Sequence, residues 1–269
     1  MLKITAEAEG VEATKLESAH RSREDGYPFF KSKKMRKLVV GDIHGGYKAL
    51  LQILERANVT PEDRLIFLGD YVDGWSQSAE VVEKMLELSE TNECVFIRGN
   101  HDKWCQDWLE TGNQLTQWVM QGGQATIDSY IRTGNVANEK HKEFFRNMAT
   151  YYIDEDNNGF VHGGYTMRKG LGHEAYAAEY YWDRSLWQNN ALCGSLEQMP
   201  KILEAHKEIF IGHTSTVIWG KDTPMNSCNV WNLDTGGGWN GKVTIMDVET
   251  KEYWQSDTVK ELYPDEKGR

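Results

Sequence analysis

Little in this chain points to a disulfide framework, a membrane span or a basic surface. Only four of its 269 residues are cysteine, and Cys94, Cys105, Cys193 and Cys228 form no Cys-x-x-Cys pair. That scatter demands neither a disulfide nor a thiolate metal site, and a reducing compartment, the cytoplasm, is the expected location. Cys94 lies within an apolar stretch and reads as a buried thiol. No apolar run approaches the ~18 residues that span a bilayer. The first residues lack the basic start and apolar centre of a signal peptide, so no membrane association is expected. The formal net charge of -11 argues against stable nucleic-acid binding, because a surface that meets backbone phosphates has to be basic. An acidic protein that handles phosphates needs metal ions or a few placed arginines. Repeats and low-complexity tracts are absent as well.

What the chain does have is apolar content: 39% hydrophobic residues, including 10 Trp and 12 Tyr. That suits one large domain with a substantial core. Residues 1–34 differ from the rest, being polar and ending in Lys31-Ser32-Lys33-Lys34, and read as an extension outside the core. The domain is expected over 35–256, with 257–269 as a polar tail. From Leu38 onward, short apolar runs bounded by glycine and polar residues alternate with helical stripes. Tyr47 to Asn58 sets Leu50, Leu51, Ile53, Leu54 and Ala57 on one side, and Ala79 to Ser89 repeats the device. Strand, loop, helix and strand recur, so the opening sheet should be parallel. Residues 103–150, rich in Trp and Gln, break the pattern and read as a helical insertion over one side of a cleft. A second polar helical stretch, 172–192, precedes the run at 208–212. The last third, from Asn229, reads as antiparallel strands joined through Gly236-Gly237-Gly238.

The informative residues sit where the apolar runs end. Val39-Val40-Gly41 leads to Asp42 and His44, and Leu65 to Gly69 leads to Asp70. Cys94 to Ile97 leads to Arg98-Gly99-Asn100-His101-Asp102, Phe160-Val161 to His162, and Ile209 to Gly212 to His213. Open α/β sheets bind ligands outside the carboxyl ends of their strands. Two carboxylates, three imidazoles and one carboxamide are thereby aimed at one cleft, a ligand set for two divalent metals. Any one of these residues alone is more often a helix cap or an ordinary loop residue. Their order and their shared place at strand ends make the set specific.

Asp70, with two oxygens to share, is the natural bridge. Asp42 and His44 would complete one ion, and Asn100, His162 and His213 the other. Oxygen and nitrogen donors without cysteine suit Mn, Fe, Zn or Co. Two such ions polarise a phosphoryl oxygen and lower the pKa of a bridging water for in-line attack. His101 follows Asn100, so its ring can face the leaving group, and it is the candidate general acid. Asp73, three residues beyond Asp70, is placed to orient that ring.

The motifs Gly-Asp42-Ile-His44-Gly, Gly-Asp70-Tyr-Val-Asp73, Gly-Asn100-His101-Asp102, His162-Gly-Gly and Gly-His213-Thr resemble those of the calcineurin-like metallophosphoesterases. Within them the chain is similar to the phosphoprotein phosphatases with their bacterial and phage relatives. The similarity runs from about Leu38 to Thr250. It implies an α/β class, a two-sheet α/β-β/α sandwich flanked by helices, and phosphomonoester hydrolysis on a phosphorylated protein or nucleotide. It implies a dinuclear site as well, with Mn²⁺ favoured and Fe, Zn or Co as alternatives. The six metal ligands and the Asp73–His101 pair carry over without a gap. Two positions depart from the pattern. The family reads Gly-Asp-x-Val-Asp-Arg-Gly, and its arginine holds the substrate phosphate, whereas here Asp73 is followed by Gly74-Trp75. The family's usual Gly-Asn-His-Glu is also Gly-Asn-His-Asp102, as in the related diadenosine tetraphosphate hydrolases. A phosphate-binding arginine must then come from elsewhere. Arg184 is the preferred candidate, with a solvated charge or an ion pair to Asp183 as its alternative. Arg98 is the other, with a structural pairing beneath its loop equally open. Trp75 is either a flat wall for an aromatic leaving group or ordinary packing. Together with Asp102 it favours the second reading, hydrolysis of dinucleoside polyphosphates.

Overall fold

The computed structural model describes residues 35–269. The extension expected over 1–34 lies outside the described residues. Ten strands build two five-stranded sheets. In the first, β1 (Lys37–Val40), β2 (Arg64–Phe67) and β3 (Glu93–Phe96) run parallel, and β9 (Thr244–Asp247) and β10 (Tyr253–Gln255) extend it antiparallel in the order β10-β9-β1-β2-β3. In the second, β5 (Gly159–Val161), β6 (Ile209–Ile211) and β8 (Val230–Asn232) are parallel. Its antiparallel edges are β4 (Tyr151–Ile153) and β7 (Met225–Ser227), in the order β4-β5-β6-β8-β7.

Alternation along each strand decides which layer each side chain joins. Val39 and Ile66 face Phe160, Phe210 and Met246 between the sheets, where the Phe160 and Phe210 rings stack at 5.0 Å. Leu38, Val40, Leu65 and Phe67 face the opposite way, under α1 (Tyr47–Arg56) and α2 (Ser78–Thr91). Leu50, Ile53 and Leu54 bury the inner stripe of α1, but Leu51, expected on that stripe, is 38% exposed. Four further helices cover the same sheet over the expected insertion: α3 (Asn100–Thr111), the single turn α4 (Thr116–Trp118), α5 (Gln124–Thr133) and α6 (Glu139–Arg146). The segment 172–192 holds α7 (Ala178–Trp182) and a wide turn at Leu186–Ala191. At the end of β1 away from the ligand loops, buried Lys37 pairs with Asp154 at 2.5 Å and Asp156 at 2.9 Å, tying the two sheets together.

Two expectations are corrected. Gly236-Gly237-Gly238 does not join a hairpin: it crosses from β8 in the second sheet to β9 in the first. Residues 257–269, expected as a polar tail outside the domain, belong to the same unit as the rest of 35–269. They hold α8 (Val259–Leu262), whose Val259 is buried with Tyr263 against the first core. Hydrophobicity alone does not mark that segment, because only Val259 and Tyr263 of its thirteen residues are buried apolar anchors and the rest of its docking is polar.

Candidate metal centre and catalytic pair

All six expected ligands emerge at the carboxyl ends of β1, β2, β3, β5 and β6, and all six are buried. Asp42, His44 and Asp70 form one group whose donor atoms lie within 4.8 Å of one another, and Asp70, His162 and His213 form a second. Asp70 belongs to both. Its Oδ2 lies 3.6 Å from His44 Nε2 and 3.3 Å from His162 Nε2, and Asn100 Oδ1 lies 3.2 Å from the same His162 nitrogen.

The ring orientations follow from backbone carbonyls. His44 Nδ1 donates to Val72 O at 3.1 Å and His162 Nδ1 to Leu68 O at 2.9 Å. A carbonyl only accepts, so in the neutral ring each Nε2 is left with a lone pair toward the cluster. Asp70 Oδ2 and His213 Nε2 are buried without hydrogen-bond partners. Such orphaned polar atoms are costly unless a ligand meets them. Burial lowers His162, but Asp70 and Asp42 outweigh it and raise the imidazole to about 9, so an ion bound there takes the place of the Nε2 proton. The centre therefore draws positive charge, and its donor set fits two divalent ions.

Backbone strain is concentrated in the same loops. His44, Asp70, Asp73 and His213 have φ of 51°, 52°, 74° and 65°. Non-glycine residues held there cost ~1–3 kcal/mol each and persist only where their surroundings impose it. Asp102 supplies part of that constraint. Its buried carboxylate accepts the N–H groups of Asp70, Tyr71 and Gly99 at 2.7, 2.9 and 2.8 Å. Gly99 is required by close approach, since a Cβ there would meet Asp70 Oδ1 at 2.0 Å.

His101 Nδ1 lies 2.6 Å from Asp73 Oδ2, which leaves its Nε2 buried and unpartnered with the His44 ring 5.1 Å away. Asp73 also accepts from Trp118 Nε1 and Thr126 Oγ1, both at 2.6 Å. Those two residues come from the 103–150 insertion and carry no local signal, because they lie 45 and 53 positions from Asp73. Burial pushes Asp73 up to about 8 and His101 down to about 3. Both shifts favour the proton between them on Asp73, which donates it to Nδ1 and leaves the neutral ring's hydrogen on Nε2.

The arginines divide. Arg184 Nη1 donates to His213 O at 2.8 Å and Thr214 Oγ1 at 3.0 Å, on the wall of a 530 Å³ cavity beside the centre. Asp183, its alternative partner, instead accepts from Ser185 Oγ and Leu186 N. Arg98 has its Nη2 on the carbonyls of Phe145 and Arg146 at the end of α6, the structural pairing beneath its loop. Trp75 is fully buried, donates to Gly237 O at 2.7 Å and stacks on Tyr263, so it is packing and offers no wall to a leaving group. Asp234, Trp239 and Arg269, none of them singled out in the sequence, line the cavity with Arg184 and His213.

Comparison with known proteins fits this geometry. Serine/threonine-protein phosphatase 2 of Salmonella typhimurium is 25% identical over 221 residues, covering 78% of this chain and 92% of that protein. Among solved structures, a protein assigned as a diadenosine tetraphosphatase shares the fold with a TM-score of 0.58 at 14% identity, covering 83% of this chain and 94% of that one. A Saccharomyces cerevisiae protein serine/threonine phosphatase aligns with a TM-score of 0.52 at 16% identity, covering 84% and 81%. The family described as calcineurin-like phosphoesterase matches residues 35–235, the stretch that carries every one of these strand-end ligands. This chain belongs to the calcineurin-like phosphoesterases, metal-dependent hydrolases of phosphorylated substrates.

Proposed function

We propose that the chain is a phosphomonoesterase of the Ser/Thr protein phosphatase type, with Mn²⁺ preferred over Fe, Zn or Co at both metal positions. The observation that carries this reading is the Asp73–His101 pair at 2.6 Å, one residue from the ligand Asn100. Asp42, His44 and Asp70 would hold one ion, and Asp70, Asn100, His162 and His213 the other. Bound there, the ions supply polarisation of the phosphoryl group and a lowered pKa for the attacking water. His101 gives the Nε2 proton to the leaving oxygen, and Asp73 fixes the ring and stabilises the charge that moves through it. Arg184 binds a phosphoryl oxygen from the cavity wall.

Hydrolysis of dinucleoside polyphosphates is the weaker reading, because the two residues that favoured it have structural employment. Asp102 pins the Asp70 loop and Trp75 is buried. A cytoplasmic setting is part of the proposal; the four cysteines are free thiols, and no helix among the described residues is long and apolar enough to cross a membrane. The test is side-by-side turnover of a phosphoserine peptide and diadenosine tetraphosphate by the Mn²⁺-loaded protein, with and without chelator. Chelator-sensitive preference for the peptide is expected. Preference for the dinucleotide, or turnover that survives chelation, would overturn the reading.

A further inference from the structure

We propose that Arg269 is the second phosphate-binding arginine, delivered to the site by segment 257–269 in place of the arginine missing at position 74. This rests on the phosphomonoesterase reading above. The first observation is steric. Gly74 has φ of +111°, and a Cβ built on it would meet Arg269 Cγ at 3.4 Å and Arg269 N at 3.5 Å. The space a side chain at 74 would enter is thus filled by the Arg269 backbone and stem. The second is the guanidinium's position. Its Nη1 donates to His44 Nε2 at 3.0 Å, on the lone pair that an ion would take, so a bound ion would turn the fork into the 530 Å³ cavity that Arg269 lines with Arg184, His213, Asp234 and Trp239. The third is spare donor capacity. A guanidinium offers five N–H groups, and no carboxylate lies within ion-pair distance of this one among the described residues. Its other neighbour is the Trp239 ring, with the guanidinium carbon 5.8 Å from the centroid.

The segment that carries Arg269 is docked on the residues next to Gly74. Tyr263 stacks on Trp75 with centroids 5.4 Å apart and donates its hydroxyl to Gln77 Oε1 at 2.7 Å. Glu266 accepts from Ser76 N at 2.9 Å and Ser76 Oγ at 2.6 Å. Arg269 N then donates to Gly238 O at 2.8 Å. Trp75, where the family has glycine, thus anchors the segment that brings the replacement charge. Arg184 and Arg269 approach the cavity from different elements, so a tetrahedral phosphoryl group there would be gripped by two planar guanidinium forks.

The test compares Arg269→Ala and Arg269→Lys with the unmodified Mn²⁺-loaded protein, using calorimetric binding of inorganic phosphate, calorimetric binding of Mn²⁺, and kinetics on an aryl phosphate. A charge-assisted hydrogen bond contributes about 1.5–3 kcal/mol, or roughly ten- to hundredfold in affinity. Arg269→Ala should weaken phosphate binding and raise KM by about that factor with Mn²⁺ affinity retained. Arg269→Lys, which keeps the charge and most of the stem, should recover part of the loss. Unchanged phosphate affinity in both variants would overturn the proposal. So would tighter Mn²⁺ binding with raised activity, which would make Arg269 an occupant of the metal position. If the unmodified protein neither binds phosphate nor hydrolyses the ester, the phosphomonoesterase reading itself fails, and the two failures are told apart.

Discussion

The floor and the rim of the cleft are built on different principles. The floor consists of strand-end loops in which every functional side chain is buried, and four residues at positive φ have their N–H groups held by buried oxygens. The rim consists of Arg184, Trp239 and Arg269, none of them fully buried and each from a segment outside the repeating strand–helix units. Trp239, 51% exposed, marks how open that rim is. A floor of that kind is pre-organised for one kind of bond cleavage, whereas the rim can change its residues without disturbing the core. The comparison separates what chemistry demands from what recognition permits.

Substitutions at graded distances from the reacting centre sharpen it. His101→Asn should have the largest effect, lowering kcat by about 10²–10⁴-fold, the usual range for general acid catalysis. Metal content measured on the same sample should stay intact, and its loss would make His101 a ligand. Trp118→Phe removes one of the three side-chain hydrogen bonds to the Asp73 carboxyl oxygens and leaves His101 in place. Removing a partner from a buried acceptor costs about 1–3 kcal/mol, so thermal stability should fall by that order and kcat by about tenfold. A stability loss with unchanged kcat would confine Trp118 to packing. Arg98→Met should have the smallest kinetic effect. It costs about 1 kcal/mol in denaturant unfolding through the lost carbonyl bonds of α6, with KM for phosphate esters unchanged. A raised KM would return Arg98 to the substrate.

The same contrast explains what could be read from sequence. Each metal ligand directly follows an apolar run and a glycine or short loop, so strand periodicity alone places it at the cleft. Asp73 and His101 are legible because each stands within three residues of a ligand. Trp118 and Thr126 are not, since only the folding of the 103–150 helices onto α2 and β3 brings them to Asp73. Arg269 is hidden for a related reason: its segment is polar, and its docking depends on Val259, Tyr263 and Glu266 meeting partners nearly two hundred positions away. The Gly236–Gly238 crossing misleads for the opposite reason. Its flanking strands alternate like a hairpin, but each pairs with a different sheet.

The central claim is that the floor holds two ions sharing Asp70. Metal analysis of the Mn²⁺-loaded protein beside its Asp70→Asn variant tests it most directly. The account predicts about two ions per chain in the unmodified protein and clearly fewer in the variant, with circular dichroism unchanged. A single ion in the unmodified protein, or full occupancy in Asp70→Asn, would contradict it.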